Sequence, residues 1–363
     1  MLRMAAQKVL HSLRDFQDDV LVFGPHCRIS RKPLSRGTER PLGFGSTPRV
    51  LRGIIIDSIR VAQVVVERAR LVTRARAWPI FQMLKEDIQG VACDLYLDLL
   101  KQCLTRALFP EAARPAAMNP RLRQLPLAEA LFLFLRRLLN VFHLELSWAY
   151  DPALRAKGTD WPLEGVTMIG LQRLQNLQDC ALDVIRRGIP GDFIETGVWR
   201  GGACIFMRAI LKCGGDHDRL VWVADSFQGL PPPDGRYAED EGDNHWRYSD
   251  VLAVSADQVR ANFARYGMLD DRVRFLEGWF KDTLPSAPIK QLAILRLDGD
   301  MYSSTLDALE NLYPKLSSGG YAIIDDYHSV PSCRRAVDEF RRCNKISERI
   351  REIDGSGIFW RKS

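Results

Sequence analysis

The sequence lacks the paired cysteines that mark zinc cages and dithiol centres. Its eight cysteines are scattered, and no two of them form a Cys-x-x-Cys pair. That spacing argues against a structural zinc site or a redox-active pair. Scattered cysteines are typical of small core side chains kept reduced, so we expect a cytoplasmic protein. A charged start followed by an apolar segment and a cleavage site is also missing, and no secretory signal is predicted.

A long apolar run without charges is missing as well. The most apolar segment, residues 127–146, carries Arg136 and Arg137 near its centre. Since each charge at the middle of a bilayer costs roughly 3 kcal/mol, we predict no integral membrane span. The segment is predicted to be a helix in an oligomer interface or a lid, with peripheral membrane contact as the alternative.

The composition is that of a globular chain, long enough for two domains or for one large domain with extensions. Of the 363 residues, 46% are hydrophobic and 26% are charged, and both values are ordinary. The net charge of +6 is uneven, since residues 1–92 hold 16 Lys and Arg against 8 Asp and Glu. Basic arms often contact nucleic acid or anionic surfaces. We favour a solvated face or an oligomer arm, and predict no nucleic-acid partner.

Three regions differ in their sequence pattern. Residues 1–50 are predicted to be a disordered basic segment, because Pro, Gly and Arg crowd its second half. Residues 51–165 are predicted to be a helical extension that acts as a lid and oligomerisation region, with amphipathic helices over 51–92 and 95–108. Residues 166–363 are predicted to form a separate domain, in which strand and helix patterns alternate from residue 191 onward.

This alternation predicts an α/β fold, in which helices cover both faces of a mostly parallel sheet. The predicted helices lie near 202–213, 255–266, 303–313 and 333–344. The seven predicted strands are 192–195, 220–225, 273–277, 292–297, 321–325, 349–353 and 357–361, with the last one antiparallel.

Aspartates end two of the predicted strands. Asp298 and Asp300 follow the run Leu-Ala-Ile-Leu-Arg-Leu, and Asp325 and Asp326 follow Gly-Tyr-Ala-Ile-Ile. Ligands of open α/β sheets bind beyond the carboxyl ends of the strands. Crowded carboxylates repel one another unless a cation joins them, and Mg²⁺ prefers oxygen ligands. We therefore predict a Mg²⁺ site formed by Asp298, Asp325 and Asp326, within reach of Asp300.

A glycine-containing loop follows the first strand. Glu195-Thr196-Gly197 runs into Val-Trp-Arg-Gly-Gly, and Trp199 occupies a position where the dinucleotide motif Gly-x-Gly-x-x-Gly requires glycine. The carboxylate of Glu195 suits a cationic ligand better than a phosphate. Asp225 ends the second strand, where an acid typically binds a ribose diol, and a turn or helix cap with Ser226 is the alternative.

Two further segments are candidates for the same site. Gly278 and Trp279 end the third strand, where an aromatic side chain can flank an adenine ring or simply belong to the core. His245 lies in a polar stretch, residues 229–250, which is long enough to act as a lid. Histidine titrates near neutral pH, so His245 is a candidate base, and a surface histidine is the alternative.

Four motifs together resemble the macrocin O-methyltransferase (TylF-type) family, whose members methylate sugar hydroxyls on macrolide and aminocoumarin antibiotics. The resemblance spans residues 94–363, with an apparent insertion near 109–148. The motifs are Glu195-Thr-Gly-Val-Trp-Arg-Gly-Gly, Asp225-Ser-Phe-Gln-Gly-Leu-Pro, Leu297-Asp-Gly-Asp-Met-Tyr and Gly320-Tyr-Ala-Ile-Ile-Asp-Asp-Tyr.

The resemblance implies a class I methyltransferase fold, a Rossmann-like seven-stranded sheet that binds S-adenosylmethionine and Mg²⁺. Residues 166–363 would be the methyltransferase domain, and a homo-oligomer is expected. By resemblance, Asp298, Asp325 and Asp326 hold the metal, and Asp300 and His245 are the candidate bases. The cofactor contacts implied in the same way are Thr167, Met168, Glu195, Thr196, Gly197, Asp225, Ser226, Gly278 and Trp279.

The predicted reaction is transfer of a methyl group from S-adenosylmethionine to a hydroxyl of a sugar on a natural product or glycan. A Mg²⁺ ion that binds two adjacent hydroxyls would lower the acceptor pKa and orient it. A catechol also offers such a diol, so phenol methylation stays an alternative. A non-catalytic scaffold is a third hypothesis, and an NAD-dependent oxidoreductase, which the glycine pattern disfavours, is a fourth.

Overall fold

The structure, a computed structural model, describes residues 30–31, 78–111, 113–115, 134, 138, 144–145, 147–241, 246 and 249–363. These residues belong to two units, of which the first comprises the described residues up to 31 and between 113 and 150. It contains two short antiparallel ladders. Strand β1 (Ser30–Arg31) pairs with β3 (Leu144–Glu145), and β2 (Ala113–Pro115) pairs with β4 (Ser147–Ala149).

The second unit comprises the described residues of 78–111 and 151–363 and carries the α/β fold. Its helices are α1 (Trp78–Leu104), α2 (Pro152–Lys157), α3 (Leu171–Arg186), α4 (Gly202–Cys213), α5 (Ser249–Leu252), α6 (Ala256–Arg265), α7 (Phe280–Thr283), α8 (Tyr302–Leu312) and α9 (Pro331–Cys343). Its strands are β5 (Asp192–Thr196), β6 (Val221–Asp225), β7 (Val273–Glu277), β8 (Leu292–Leu297), β9 (Leu316–Ile324), β10 (Arg351–Glu352) and β11 (Ile358–Arg361).

These seven strands form one sheet in the order β10-β11-β9-β8-β5-β6-β7. Strands β5 to β9 run parallel, and β11 runs antiparallel between β9 and β10. The order reverses at β5, whose neighbours are β6 and β8. In such sheets the ligand site lies at this reversal, beyond the carboxyl ends of the strands. The predicted fold class and the antiparallel last strand are confirmed.

Two apolar cores cover the two faces of the sheet. Residues of α1, α3, α4 and α6 pack on one face, and residues of α8 and α9 pack on the other. Strand β5 contributes to both, because Phe193 belongs to the first core and its neighbour Ile194 to the second. Strand β8 is buried along its whole length. Continuous burial explains why its sequence is an almost unbroken apolar run rather than an alternating one.

Three predicted elements differ from the structure. Helix α1 is continuous through Cys93 and Asp94, so the predicted break between two helices is wrong. Within the predicted helix 127–146, Phe134 and Leu138 are helical but Leu144–Glu145 is a strand; most of that segment, like 51–77, lies outside the described residues. Strand β9 begins at Leu316, five residues before its predicted start at Tyr321. Gly319, with φ of +86°, is a kink inside the strand rather than a turn before it.

Among the described residues, no helix combines the length and the apolarity that crossing a bilayer requires.

Candidate active site

Strands β8 and β9 are adjacent, and their ends bring the predicted metal ligands together. The N–H of Asp325 donates to the carbonyl of Leu297 over 2.9 Å, which sets the two strand ends side by side. One carboxylate oxygen from each of Asp298, Asp325 and Asp326 lies within 4.8 Å of the other two. The predicted convergence of these three aspartates is therefore confirmed. Their role as metal ligands stays a prediction.

The aspartate cluster is compensated by two buried arginines that the sequence analysis missed. Arg296, which is 1% exposed, pairs with Glu195 and Asp325 and lies 2.8 Å from Asp298. Arg173 of α3 pairs with the other oxygen of Asp325. Both oxygens of Asp325 thus accept from a guanidinium group. The signal for Arg296 was present, since a lone cation inside a buried strand needs anionic partners.

Burial and mutual repulsion govern the protonation of the cluster. Burial, followed by the charge of Asp325, raises the pKa of Asp298. Burial raises the pKa of Asp326 well above its usual range, and the charges of Asp300 and Asp298 add to the effect. One oxygen of Asp326, Oδ2, is buried without a hydrogen-bond partner. A hard dication would satisfy that oxygen and relieve the repulsion, so these residues fit Mg²⁺.

Asp300 borders the cluster on an unusual backbone. Its φ is +55°, in the left-handed region that few non-glycine residues adopt. After burial, its charge is the main cause of the raised pKa of Asp326, which places its carboxylate near the cluster. Strain of this kind persists where the surrounding structure holds it, often at functional sites. The geometry agrees with the predicted position of Asp300, and its role as a base stays a prediction.

The glycine loop after β5 lies directly against the cluster. Gly197 has φ of +85°, and a Cβ atom there would overlap with the carbonyl oxygen of Asp298. The carbonyl of Thr196 accepts the N–H of Asp298 over 2.9 Å. Only glycine permits this backbone approach. The structure therefore brings the predicted cofactor loop and the predicted metal site together at one edge of the sheet.

Glu195 is buried beside this loop. It is 2% exposed, and its carboxylate pairs with Arg296 and accepts a hydrogen bond from the Cys204 thiol at 2.9 Å. Burial, then the charge of Asp298, raises its pKa to about 7, although Arg296 opposes the rise. Glu195 therefore belongs to the ion-pair network that includes Asp325. Its predicted contact with the cofactor stays a prediction.

Asp225 organises the turn of the glycine loop. Its Oδ2 accepts N–H groups of Val198 at 2.7 Å and Trp199 at 3.3 Å, and its Oδ1 accepts that of Phe227 at 2.8 Å. Burial raises the pKa of Asp225, and these N–H groups limit the rise. The hydroxyl of Ser226 donates to the carbonyl of Gly229 over 2.7 Å. In the structure, Asp225 and Ser226 therefore stabilise a turn, which was the alternative interpretation. Their binding of a ribose stays a prediction.

Gly278 and Trp279 lie at the same sheet edge as Asp225. The N–H of Gly278 donates to the carbonyl of Asp225 over 2.9 Å, and its φ is +138°. Trp279 is half-buried and caps the start of α7. The predicted contact of Gly278 and Trp279 with an adenine ring stays a prediction. His245, the second candidate base, lies outside the described residues.

Thr167 and Met168 belong to a segment without helix or strand that joins α2 to α3. We call residues 158–170 the strap. Thr167 is buried. A Cβ atom added to Gly202 would lie 2.6 Å from the Cβ atom of Thr167. The N–H of Gly202 donates to the carbonyl of Val166 over 3.0 Å. The strap therefore lies on the glycine loop at the start of α4, and the predicted contacts of Thr167 and Met168 with the cofactor stay predictions.

Charged side chains hold the strap by its backbone, and the sequence analysis missed them. Glu111 accepts the N–H groups of residues 163, 164 and 165 at 2.6 to 2.8 Å. Arg200 donates to the carbonyls of residues 163 and 165 at 2.9 and 2.8 Å. Arg155 donates to the carbonyls of residues 168 and 169 and forms a buried ion pair with Asp160 at 3.2 Å. No sign of this role was visible in the sequence, even for Arg200, which lies within a quoted motif, because most of the partners are backbone atoms.

Comparison with known proteins identifies the group to which this architecture belongs. A family model described as Macrocin-O-methyltransferase (TylF) matches residues 93–362. The chain belongs to this family. The macrocin O-methyltransferase fold and the seven-stranded sheet support S-adenosylmethionine as the methyl donor of this enzyme.

Individual relatives of this methyltransferase are named O-methyltransferases. A tetracenomycin 4'-O-methyltransferase named for its dimethoxy-rhamnosyl substrate, from Streptomyces olivaceus, is 49% identical over 271 residues, which cover 74% of this chain and 93% of that protein. Mycinamicin III 3''-O-methyltransferase from Micromonospora griseorubida is 46% identical over 273 residues, which cover 74% and 97%. The solved structure of the O-methyltransferase NovP has a TM-score of 0.65 and 45% identity, covering 75% of this chain and 99% of NovP.

Proposed function

We propose that this methyltransferase is a Mg²⁺-dependent enzyme that transfers a methyl group from S-adenosylmethionine to a sugar hydroxyl in antibiotic biosynthesis. One observation carries the proposal. Three aspartates converge within 4.8 Å after the ends of β8 and β9, against the glycine loop, and one of their buried oxygens lacks a partner. A sugar with two adjacent hydroxyls is the proposed acceptor class, and the rhamnosyl group in the name of one relative supports the sugar.

Some residues of the site would bind the metal ion, and others accept the proton of the reacting hydroxyl. Asp298, Asp325 and Asp326 would hold the ion, which supplies positive charge beside the acceptor hydroxyls and lowers their pKa. Asp300, beside the cluster, accepts the proton of the reacting hydroxyl, and His245 is the second candidate for that role. The buried arginines Arg173 and Arg296 fix the orientation of Asp325.

The other predicted residues position the donor. Thr167 and Met168 of the strap, with Glu195, Thr196 and Gly197, lie around its methionine end. Asp225 and Ser226 bind the ribose, and Gly278 and Trp279 flank the adenine. Holding the sulfonium methyl in line with the acceptor oxygen accounts for much of the rate, because positioning replaces an encounter in solution.

The test is a methyl-transfer assay with a rhamnoside that carries adjacent hydroxyls. We expect turnover that is lost in EDTA and restored by Mg²⁺. Asp326→Asn should lower turnover at least 100-fold while S-adenosylhomocysteine still binds. Glu352→Gln is the matched control, since Glu352 is an exposed acid at the same sheet edge that pairs with His328. Turnover that is unaffected by EDTA would overturn the metal dependence.

The acceptor class is tested in the same assay with a simple catechol. Methylation of the catechol in preference to the rhamnoside would favour phenol methylation over the sugar. Failure of the protein to bind S-adenosylhomocysteine, with or without Mg²⁺, would instead favour the non-catalytic scaffold.

The proposal also covers the cellular location, the oligomeric state and the domain boundaries of the enzyme. The seven cysteines in the described part of the chain are all free thiols, in agreement with a reducing cytoplasm. A homo-oligomer is supported by an apolar row on the outer side of α1, which is described below. The domain boundaries at residues 50 and 165 are part of the same proposal.

A further inference from the structure

Arg173 contacts both a predicted metal ligand and the strap, which carries two of the predicted donor contacts. It is the third residue of α3 and is 7% exposed. Its Nη1 pairs with Asp325, its Nε lies 3.0 Å from Asp354 Oδ2, and its Nη2 donates to the carbonyl of Gly158 over 2.9 Å. The two terminal nitrogens of one planar group therefore have different hydrogen-bond partners, and Nε adds an ion-pair contact without a hydrogen bond. Asp325 belongs to the aspartate cluster, and Gly158 is the first residue of the strap.

The contact with Gly158 is at the neck of the strap. The backbones of Gly158 and Gly170 touch, since a Cβ atom on either residue would overlap with main-chain atoms at the opposite end of the strap. Residues 158–170 thus form a closed loop whose two ends meet beside Arg173. A Cβ atom at Gly158 would also lie 2.9 Å from Arg173 Nη2. Arg173 therefore contacts the strap where its two ends are fixed.

The strap is held by hydrogen bonds to charged groups rather than by secondary structure. Its contacts to Glu111, Arg155 and Arg200 are made at residues 160 to 169, between its two ends. Among the described contacts of the strap, the one to Arg173 leads in a single step to a predicted metal ligand. A guanidinium group is rigid and planar, so a fixed position of one nitrogen fixes the others.

We propose that Arg173 is a positioning residue that couples metal binding to donor binding. An ion held by Asp298, Asp325 and Asp326 fixes the Asp325 carboxylate, and Asp325 in turn fixes the guanidinium group and the neck of the strap. The strap presents Thr167 and Met168 to the donor. Because the metal and the donor would favour the same placement of the guanidinium group and the strap, each ligand then binds more tightly when the other is present. This inference rests on the proposed function.

Calorimetric titration measures the coupling directly. The native protein is titrated with S-adenosylhomocysteine in EDTA and in saturating Mg²⁺, and with Mg²⁺ alone and in saturating S-adenosylhomocysteine. We expect Mg²⁺ to tighten S-adenosylhomocysteine binding about fivefold or more, and the reverse titration to give the same factor, because linkage is reciprocal.

The variant Arg173→Lys separates the geometry from the charge. Lysine keeps the positive charge beside Asp325, but its single ammonium group cannot reach Asp325, Asp354 and Gly158 together. We expect both ligands to bind with a coupling factor near one. Asp354→Asn is the second variant, for the case that Arg173→Lys does not fold. It removes one partner of Arg173 without touching the cluster or the strap, and should lower the factor by at least twofold.

Glu111→Gln is the matched control. It weakens the hydrogen bonds that residue 111 accepts from the N–H groups of residues 163–165. It leaves the contact between Arg173 and Asp325 unchanged. We expect weaker S-adenosylhomocysteine binding with the native coupling factor. A merely structural role for Arg173 would lower affinity in the same manner and leave the factor unchanged, and that result would overturn the inference.

Hydrogen exchange gives a readout that needs no donor at all. Mg²⁺ alone should slow amide exchange in residues 158–170 of the native protein and of Glu111→Gln, but not of Arg173→Lys. Independent binding of the two ligands to the native protein would overturn the coupling and leave the proposed function intact. A native protein that does not bind Mg²⁺ would overturn the proposed metal dependence, and the coupling with it.

Discussion

Gly197 shows how a single residue joins two parts of the site. Its φ of +85° and the overlap that a Cβ atom would make with the Asp298 carbonyl leave no room for a side chain. The sequence placed this glycine in a loop and left open whether it only turns the chain. The contact with Asp298 decides the question, because it links the donor loop to the aspartate cluster.

We predict that Gly197→Ala destabilises the protein by about 3 kcal/mol or more, since it adds left-handed strain and a steric overlap. Gly215→Ala is the matched control. Gly215 also has positive φ, +68°, but a Cβ atom there would have no neighbouring atom within 4 Å. It should therefore cost only about 1 kcal/mol. Urea unfolding of both variants gives the comparison, and equal losses would contradict the close approach.

We predict that the stability of the metal-free protein depends on pH because of Glu195. Its pKa is about 7 in the folded protein, against a usual value of 4.5. The folded state therefore binds the proton more tightly, and the contribution of Glu195 is fully present below pH 4.5. That contribution is lost as the pH rises through 7, and the loss is on the order of 3 kcal/mol.

Unfolding free energies at pH 5.5 and pH 8.5, measured in EDTA, test this dependence. The native protein should lose more stability over that interval than Glu195→Gln, whose side chain does not titrate. Carboxyl groups outside this network contribute equally to both proteins, so the difference reports Glu195 together with its interaction with Asp298 and Asp325. Identical pH profiles would show that Glu195 is ionised in the folded state at both values.

Strand β8 shows how far an element can be predicted and where the prediction ends. Its bounds, Leu292–Leu297, agree with the apolar run, because a strand buried on both faces has a nearly continuous apolar sequence. The arginine within that run was the informative exception. Its partners Glu195 and Asp325 come from β5 and β9, which are distant in sequence and adjacent only in the sheet.

Removal of this central cation should destabilise the sheet. We predict that Arg296→Met costs about 3–5 kcal/mol in EDTA, because it leaves buried carboxylates without their partner. Arg335→Met, which breaks an exposed pair with Glu239, should cost less than about 1 kcal/mol. Mg²⁺ should restore part of the loss in Arg296→Met, since a dication also compensates the cluster. Thermal unfolding with and without Mg²⁺ measures both effects, and a loss as small as that of Arg335→Met would contradict the assigned network.

For strand β9, in contrast, the start predicted from the sequence is wrong. A glycine pair within a sequence usually indicates a turn, and the predicted strand therefore began after Gly319 and Gly320. In the structure the strand continues through both residues, with a kink at Gly319 whose N–H donates to the Lys362 carbonyl over 2.7 Å. The hydrogen-bond partner of Gly319 is Lys362, which is distant in sequence, and the residues around Gly319 give no indication of this pairing.

At the scale of the whole molecule, the apolar row on α1 predicts self-association. Ile88, Val91 and Leu95 are 43%, 59% and 66% exposed and follow one another at helical spacing. We expect the native protein to be a homo-oligomer and Leu95→Asp to shift it towards the monomer. Gln89→Glu adds a charge to another side of α1 and should leave the mass unchanged. Light scattering after size exclusion measures the masses, and a monomeric native protein would refute the prediction.

The sequence by itself determined the α/β class, the order of the elements after residue 190 and the aspartates that end β8 and β9. These features are local, since burial on two faces and the end of a strand both appear in consecutive residues. Only the tertiary structure decided which charges compensate the cluster and what holds the strap. The contacts of Arg173 and Arg296 with Asp325, and that of Glu111 with the strap, join residues 29 to 152 positions apart. A pairing across that distance depends on the strand order and on backbone atoms, which carry no signature in the residue types.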